Sequence, residues 1–188
     1  MKKLLPLIFT ILTLISAPSA HADDTWYLGA LYSVQEVSIQ SRDLNTVGII
    51  LGYQFNKYFS LETRLSTGIS SYSITYEPIN AEIEENINTQ AALLIKASYP
   101  IFKSFNVYGL VGHSNTKSEI KISASDHPYS GFPSSNLTET GSGFTYGLGL
   151  NYQITEQFNM FVDYQVLPEF DYFSRSFKSA SIGMNYSF

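Results

Sequence analysis

Apolar and polar residues alternate along most of this chain with a period of two. In 46–55, Val47, Ile49, Leu51, Tyr53 and Phe55 fall on one face, against Thr46, Gly48, Ile50, Gly52 and Gln54. In 144–154, Phe144, Tyr146, Leu148, Leu150, Tyr152 and Ile154 oppose Thr145, Gly147, Gly149, Asn151 and Gln153. The end of the chain repeats the scheme, with Ala180, Ile182, Met184, Tyr186 and Phe188 against Ser179, Ser181, Gly183, Asn185 and Ser187. Such alternation over about ten residues is the signature of a β-strand, and the length suits a tilted strand crossing a bilayer. The pattern predicts eight strands, at about 25–35, 45–55, 59–76, 87–99, 105–122, 141–154, 158–167 and 177–188. Their connections alternate in length. Those at 56–58, 100–104 and 155–157 are tight, whereas 36–44, 77–86, 123–140 and 168–176 are longer. Short turns at one end and longer loops at the other predict an all-β, eight-stranded, antiparallel up-and-down transmembrane barrel. An even strand number puts both termini at the short-turn end. The loop from Ser123 to Thr140, rich in Ser, Pro, Asn and Gly, is expected to be mobile.

Charge separates this reading from a soluble sandwich or a lipocalin-like barrel, whose polar face meets water and carries Lys and Glu. Here the polar face is mainly Gly, Ser, Thr, Asn and Gln, and its few charges share one parity. Glu62 and Arg64 oppose Leu61, Thr63 and Leu65; Lys96 opposes Leu93, Ile95 and Ala97; Asp163 opposes Val162 and Tyr164. A Lys or Arg facing lipid at mid-bilayer costs about 2–4 kcal/mol, so lipid exposure requires that the apolar face hold none. That face ends in aromatics, among them Trp26, Tyr53, Phe55, Tyr99, Tyr152, Tyr186 and Phe188, as interfacial girdles do.

The first 22 residues break the pattern. Lys2 and Lys3 precede an apolar run from Leu4 to Ile15, and Ala20-His21-Ala22 is a small-x-small site. This predicts a cleaved signal peptide over 1–22 and an exported barrel domain over 23–188; the run is too short for the roughly 20 residues of a spanning helix. Without Lys2 and Lys3 the formal net charge moves from -5 to -7. An acidic balance with no basic cluster argues against nucleic acid, which is bound through neutralised phosphates. Charged residues make up 14% of the chain, below the roughly 25% of soluble domains, and 13 Phe and 14 Tyr stand in their place. Absence of cysteine rules out disulfides and thiolate metal sites.

Three passages carry a resemblance to a known family. They are Tyr53-Gln54-Phe55 with Phe59-Ser60-Leu61-Glu62-Thr63-Arg64 after a short turn, Phe144-Thr145-Tyr146-Gly147-Leu148-Gly149-Leu150-Asn151-Tyr152, and Ser181-Ile182-Gly183-Met184-Asn185-Tyr186-Ser187-Phe188. In these the chain resembles the small eight-stranded outer-membrane barrels of the OmpA/OmpX type, including the adhesion-and-invasion relatives. The resemblance implies residence in the bacterial outer membrane after periplasmic transit. It also implies reading of the terminal aromatics Tyr186 and Phe188 by the barrel-assembly machinery. The peptidoglycan-binding domain of full OmpA is not seen, so its linking role is not expected.

Candidate chemistry is sparse. Glu62, Arg64, Lys96 and Asp163 are expected to point into a lumen just wide enough for side chains to fill, and to form an ion-pair network that fixes register and plugs it. His113-Ser114 invites a lipid A hydrolase reading, yet neighbours on a strand face opposite ways and cannot readily pair as base and nucleophile. Gly147-x-Gly149 lacks the helix a nucleotide loop needs, and such glycines make room for bulky neighbours. Asp126 and His127 are too few for a metal site, and the sequon at Asn136 carries no weight in a bacterial chain. No enzyme activity, cofactor or metal is therefore expected. Function is expected in the outer loops, where Tyr129, Phe132 and Pro133 form a candidate contact site and Lys117, Glu119 and Lys121 extend beyond the bilayer. The expected partners of a monomeric barrel are outer-membrane lipids and lipopolysaccharide, the assembly machinery, and host or envelope surface molecules. A structural or adhesive role leads, followed by a narrow, porin-like channel and then a lipid A-modifying enzyme.

Overall fold

Residues 25–37, 42–76, 81–124, 135–170 and 175–188 are described by the computed structural model. They form nine strands: β1 (Thr25–Val37), β2 (Arg42–Gln54), β3 (Phe59–Gly68), β4 (Ser71–Tyr76), β5 (Ala81–Phe102), β6 (Phe105–Ala124), β7 (Ser135–Gln153), β8 (Phe158–Phe170) and β9 (Arg175–Ser187). Every pairing is antiparallel. The order runs β3-β2-β1-β9-β8-β7-β6-β5-β4, and a β3–β5 ladder from Phe59↔Ala97 to Ser66↔Gln90 closes the sheet on itself. β3 and β4 are two parts of one stave, so nine strands make an eight-staved barrel. The 59–76 segment read as one strand is interrupted at Ile69 and Ser70, where the backbone is held by Ile69 N–H donating to Asn45 O (2.8 Å) and Asn45 N–H to Ser70 Oγ (2.7 Å). Opposite this break β5 shifts register between Ile87 and Thr89, so its inward positions change from even (Gln90, Ala92, Leu94, Lys96) to odd (Ile87, Glu85).

The face assignment follows the alternation. Ile49, Leu51, Leu93, Ile95, Phe144, Leu148, Leu150 and Ile182 are exposed on the outer wall, while Thr46, Thr145, Ser179, Ser181 and Asn185 are buried within. The lumen is less polar than its Ser, Thr and Asn content suggested. Tyr27, Leu31, Ile50, Ala92, Leu94, Tyr108, Leu110 and Phe161 form an interior apolar cluster, and Leu44, Ile87, Leu167 and Phe177 a second one toward the loop end. Glycines give the rings space: a Cβ on Gly52 would strike the Tyr27 ring, and one on Gly149 the Tyr108 ring.

The loop end departs from the sequence reading. Strands continue through much of 36–44, 77–86, 123–140 and 168–176, where the sequence predicts loops, and β5, β6 and β7 reach 22, 20 and 19 residues. There the outward face becomes polar, as at Glu82, Lys117 and Asn136, so the apolar outer stripe of a lipid-facing strand is lost while the pairing persists, from Ala81↔Ala124 and Ile122↔Ser135 downward. A four-stranded wall, β4-β5-β6-β7, thus rises above the rest of the rim. The predicted signal peptide, and Asp126, His127, Tyr129, Phe132 and Pro133, lie outside the described residues.

Candidate functional site

The four interior charges come from three walls of the lumen. Glu62 and Arg64 stand two apart on β3 and so share a face, Lys96 reaches in from β5 beside them (Ser60↔Lys96), and Asp163 from β8 opposite. All are buried and they meet. Arg64 Nε donates to Glu62 Oε1 (2.5 Å) and Arg64 Nη2 to Asp163 Oδ2 (2.8 Å), while Lys96 Nζ lies 3.7 Å from Glu62 Oε2. The carboxylates receive further donors: Tyr27 Oη on Glu62 Oε2 (2.9 Å), Tyr108 Oη on Asp163 Oδ2 (3.0 Å) and Gln165 Nε2 on Asp163 Oδ1 (2.9 Å). The Phe161 ring stacks near Arg64, 5.4 Å from Cζ, and Tyr108 lies under Lys96 Nζ at 4.2 Å. Charge, hydroxyls and rings together close the cross-section. Tyr27, Tyr108, Phe161 and Gln165 belong to this group although the sequence reading assigned them nothing; inward parity on β1, β6 and β8 was the available signal.

Below the plug, toward the tight turns, the lumen opens into a cup of about 420 Å³. Lys96 forms part of its floor, carboxamides of Asn106, Asn151, Asn159 and Asn185 line its wall, and Lys57 and Glu156 stand at the mouth. Above the plug there is a void of about 20 Å³ between Arg64, Gln90 and Gln165, no more than a water's room.

On the outer wall His113 does pair with a serine, although not with its neighbour. Ser114 is buried inside, whereas His113 Nε2 lies 3.0 Å from Ser142 Oγ on β7. The strands holding them are joined through 125–134, a connection whose length leaves cross-strand register unreadable from sequence. At the turn-side rim the terminal residues are built into an aromatic ring. Phe188 N–H donates to Trp26 O (3.0 Å), and Tyr186 packs on Phe158 (centroids 4.9 Å apart) and Phe188 (5.1 Å). Trp26–Tyr53 (4.9 Å) and Phe105–Tyr152 (4.7 Å) continue it.

The model of the outer membrane protein beta-barrel domain family matches residues 7–188. The chain belongs to that family. Outer membrane protein A of Buchnera aphidicola subsp. Schizaphis graminum is 30% identical over 131 residues, which cover 59% of this chain and 36% of that protein. The chain thus spans little more than a third of that relative's length. Among solved structures, the attachment invasion locus protein Ail of Yersinia pestis, crystallised with the heparin analogue sucrose octasulfate, superposes with a TM-score of 0.59 at 15% identity, over 88% of this chain and 99% of that one. OprG of Pseudomonas aeruginosa gives 0.53 at 18% identity (89% and 96%), and Neisserial surface protein A 0.54 at 12% (88% and 97%). At such identities these barrels share the fold. Family and architecture together make this an outer-membrane β-barrel of bacteria, with its short turns in the periplasm.

Proposed function

We propose that this barrel is a surface-interaction module that presents its projecting wall to extended segments of other proteins outside the cell. One observation carries the reading. β7 stays paired with β6 up to Ser135↔Ile122, but its ladder to β8 ends at Tyr146↔Val166, where Thr145 Oγ1 bonds Val166 O (2.8 Å). Two residues beyond Val166 stands Pro168, which has no N–H to continue the ladder and sits against Gly143. Among the described residues, β7 from Ser135 to Phe144 therefore has a strand partner on one side. Its sequence carries one charge, Glu139, and none of the Lys or Pro residues that protect an edge. Such an edge accepts an added strand through main-chain hydrogen bonds.

Ail holds a sulfated sugar analogue. Here Lys117 and Lys121 alternate with Glu119, Lys121 pairs across to Glu84, and the chain is acidic, which favours a main-chain partner over a polyanion. Tyr186 and Phe188 serve as the assembly signal, and the exposed aromatic and aliphatic wall takes outer-membrane lipid and lipopolysaccharide chains. The charged plug ranks the channel reading below this one. Catalysis ranks lower still: among the described residues no carboxylate bonds His113 to orient it. The test is adhesion or pull-down by cells bearing Thr140→Pro, which removes an edge N–H. Loss of binding with an unchanged heat-dependent gel shift is expected; full binding would overturn the proposal.

A further inference from the structure

The two carboxylates of the plug are satisfied without Lys96. Both oxygens of Glu62 are occupied, Oε1 by Arg64 Nε at 2.5 Å and Oε2 by the Tyr27 hydroxyl at 2.9 Å. Both oxygens of Asp163 are occupied too, by Arg64, Tyr108 and Gln165. Lys96 balances the charge of this group, but its ammonium lies 3.7 Å from Glu62, longer than a hydrogen bond. Beneath it is the Tyr108 ring, a cation–π neighbour that takes no N–H in the ordinary sense. Lys96 is nonetheless 93% buried, and a buried ammonium with idle donors costs several kcal/mol unless something accepts from it. Those donors face the cup. The other polar side chains of the cup wall include the carboxamides of Asn106, Asn151, Asn159 and Asn185.

The cup therefore offers a cation at its floor and a ring of carboxamides that both donate and accept. Its volume of about 420 Å³ falls in the range of small-molecule sites. We propose that it binds a small organic carboxylate entering from the periplasm, with the anionic group on Lys96 and a polar stem among the carboxamides of Asn106, Asn151 and Asn159. A carboxylate suits the floor better than a bulkier divalent anion, since Glu62 lies just behind Lys96 and a second negative charge would be repelled. The site is at the opposite end from the β7 edge, so neither proposal depends on the other.

The experiment is titration of the folded protein in detergent micelles with N-acetylalanine, with the uncharged N-acetylalaninamide, and with acetate, followed by calorimetry and amide shifts. N-acetylalanine is expected to bind at least tenfold more tightly than its amide and more tightly than acetate, which lacks the stem. Lys96→Met is expected to lower that affinity by about tenfold or more, the usual loss of a hydrogen bond to a charged group. Asn106→Asp, which leaves the plug untouched and places a negative charge on the wall, is expected to lower it similarly. The heat-dependent gel shift confirms that each variant is folded. Equal binding of acid and amide, unchanged affinity in Lys96→Met and Asn106→Asp, or no saturable binding of N-acetylalanine overturns the proposal. Acetate binding as tightly as N-acetylalanine would also overturn the role given to the carboxamides.

Discussion

Replacing Arg64 by Met tests whether the lumen is held by charge pairing or by packing. Met fills much of the same volume and keeps contact with the Phe161 ring, so little apolar contact is lost. What disappears is the bridge between Glu62 and Asp163, at 2.5 and 2.8 Å, and with it the cation that both carboxylates share. Lys96 remains, but at 3.7 Å it faces Glu62 and makes no contact with Asp163 of the kind Arg64 does. Removing one partner of a buried ionic group leaves the others uncompensated, at a cost of about 3–5 kcal/mol. Asp163 keeps its bonds from Tyr108 and Gln165, which argues for the lower half of that range. The assay is urea unfolding of the barrel from lipid vesicles, read by Trp26 fluorescence and gel mobility. Arg64→Met should lower the stability by about 3 kcal/mol, and adding Asp163→Asn should restore at least half, because the amide needs no cation. A loss below about 1 kcal/mol would show that the lumen is solvated enough to screen these charges. A double variant no better than the single one would show that shape, rather than charge, was disturbed.

Three further expectations address other parts of the barrel. Leu148→Arg, at a position 70% exposed to lipid, should lose about 2–4 kcal/mol in the same unfolding assay, while Ser142→Arg near the loop-end boundary should lose about 1 or less; equal losses would contradict the lipid-facing assignment. Gly149→Val should lose about 1–3 kcal/mol because its side chain meets the Tyr108 ring, and Tyr108→Leu should relieve part of that; additive losses in the double variant would refute the contact. Pro168→Thr restores an N–H opposite the open part of β7 and should slow hydrogen exchange of amides in 141–144. Unchanged exchange would mean that something other than the missing N–H ends the ladder.

Much of the barrel was legible because the bilayer enforces alternation where it acts. Across Phe144–Leu150 or Ile49–Phe55 a residue is either in lipid or in the lumen, and the parity of Glu62, Arg64, Lys96 and Asp163 follows. Above the bilayer the outer face need not be apolar, so Ser135–Thr140 is polar almost throughout and Ala81–Asn88 carries Glu82, Glu84 and Asn86 outward, and both segments read as loops although they are paired strand. The Ile87/Thr89 shift is hidden because Ile87 keeps the odd parity of Leu93 and Ile95 although it is buried and they are exposed. The plug was legible as a set of charges but not as a geometry: Tyr27 and Phe161 enter it through cross-barrel distances that no local pattern encodes. The His113–Ser142 pair depends on a register set across 125–134, and a long connection fixes no register.

The break at Ile69–Ser70 and the shifted register opposite it divide the β3–β5 side of the barrel into zones that differ in how they accept change. In the lower zone each stave is locked to one parity, and one inserted residue would turn a whole lipid face into the lumen. At the seam that debt is already absorbed, by an interruption on one stave and an extra residue on its neighbour. On β4 and β5 an insertion or deletion above the seam is taken up there and leaves the plug in register, whereas β6 and β7 run through that level in unbroken register. The β4–β5 corner of the wall can thus change in length while the part that folds in lipid stays fixed. Modularity, here, comes from two facing irregularities on neighbouring staves.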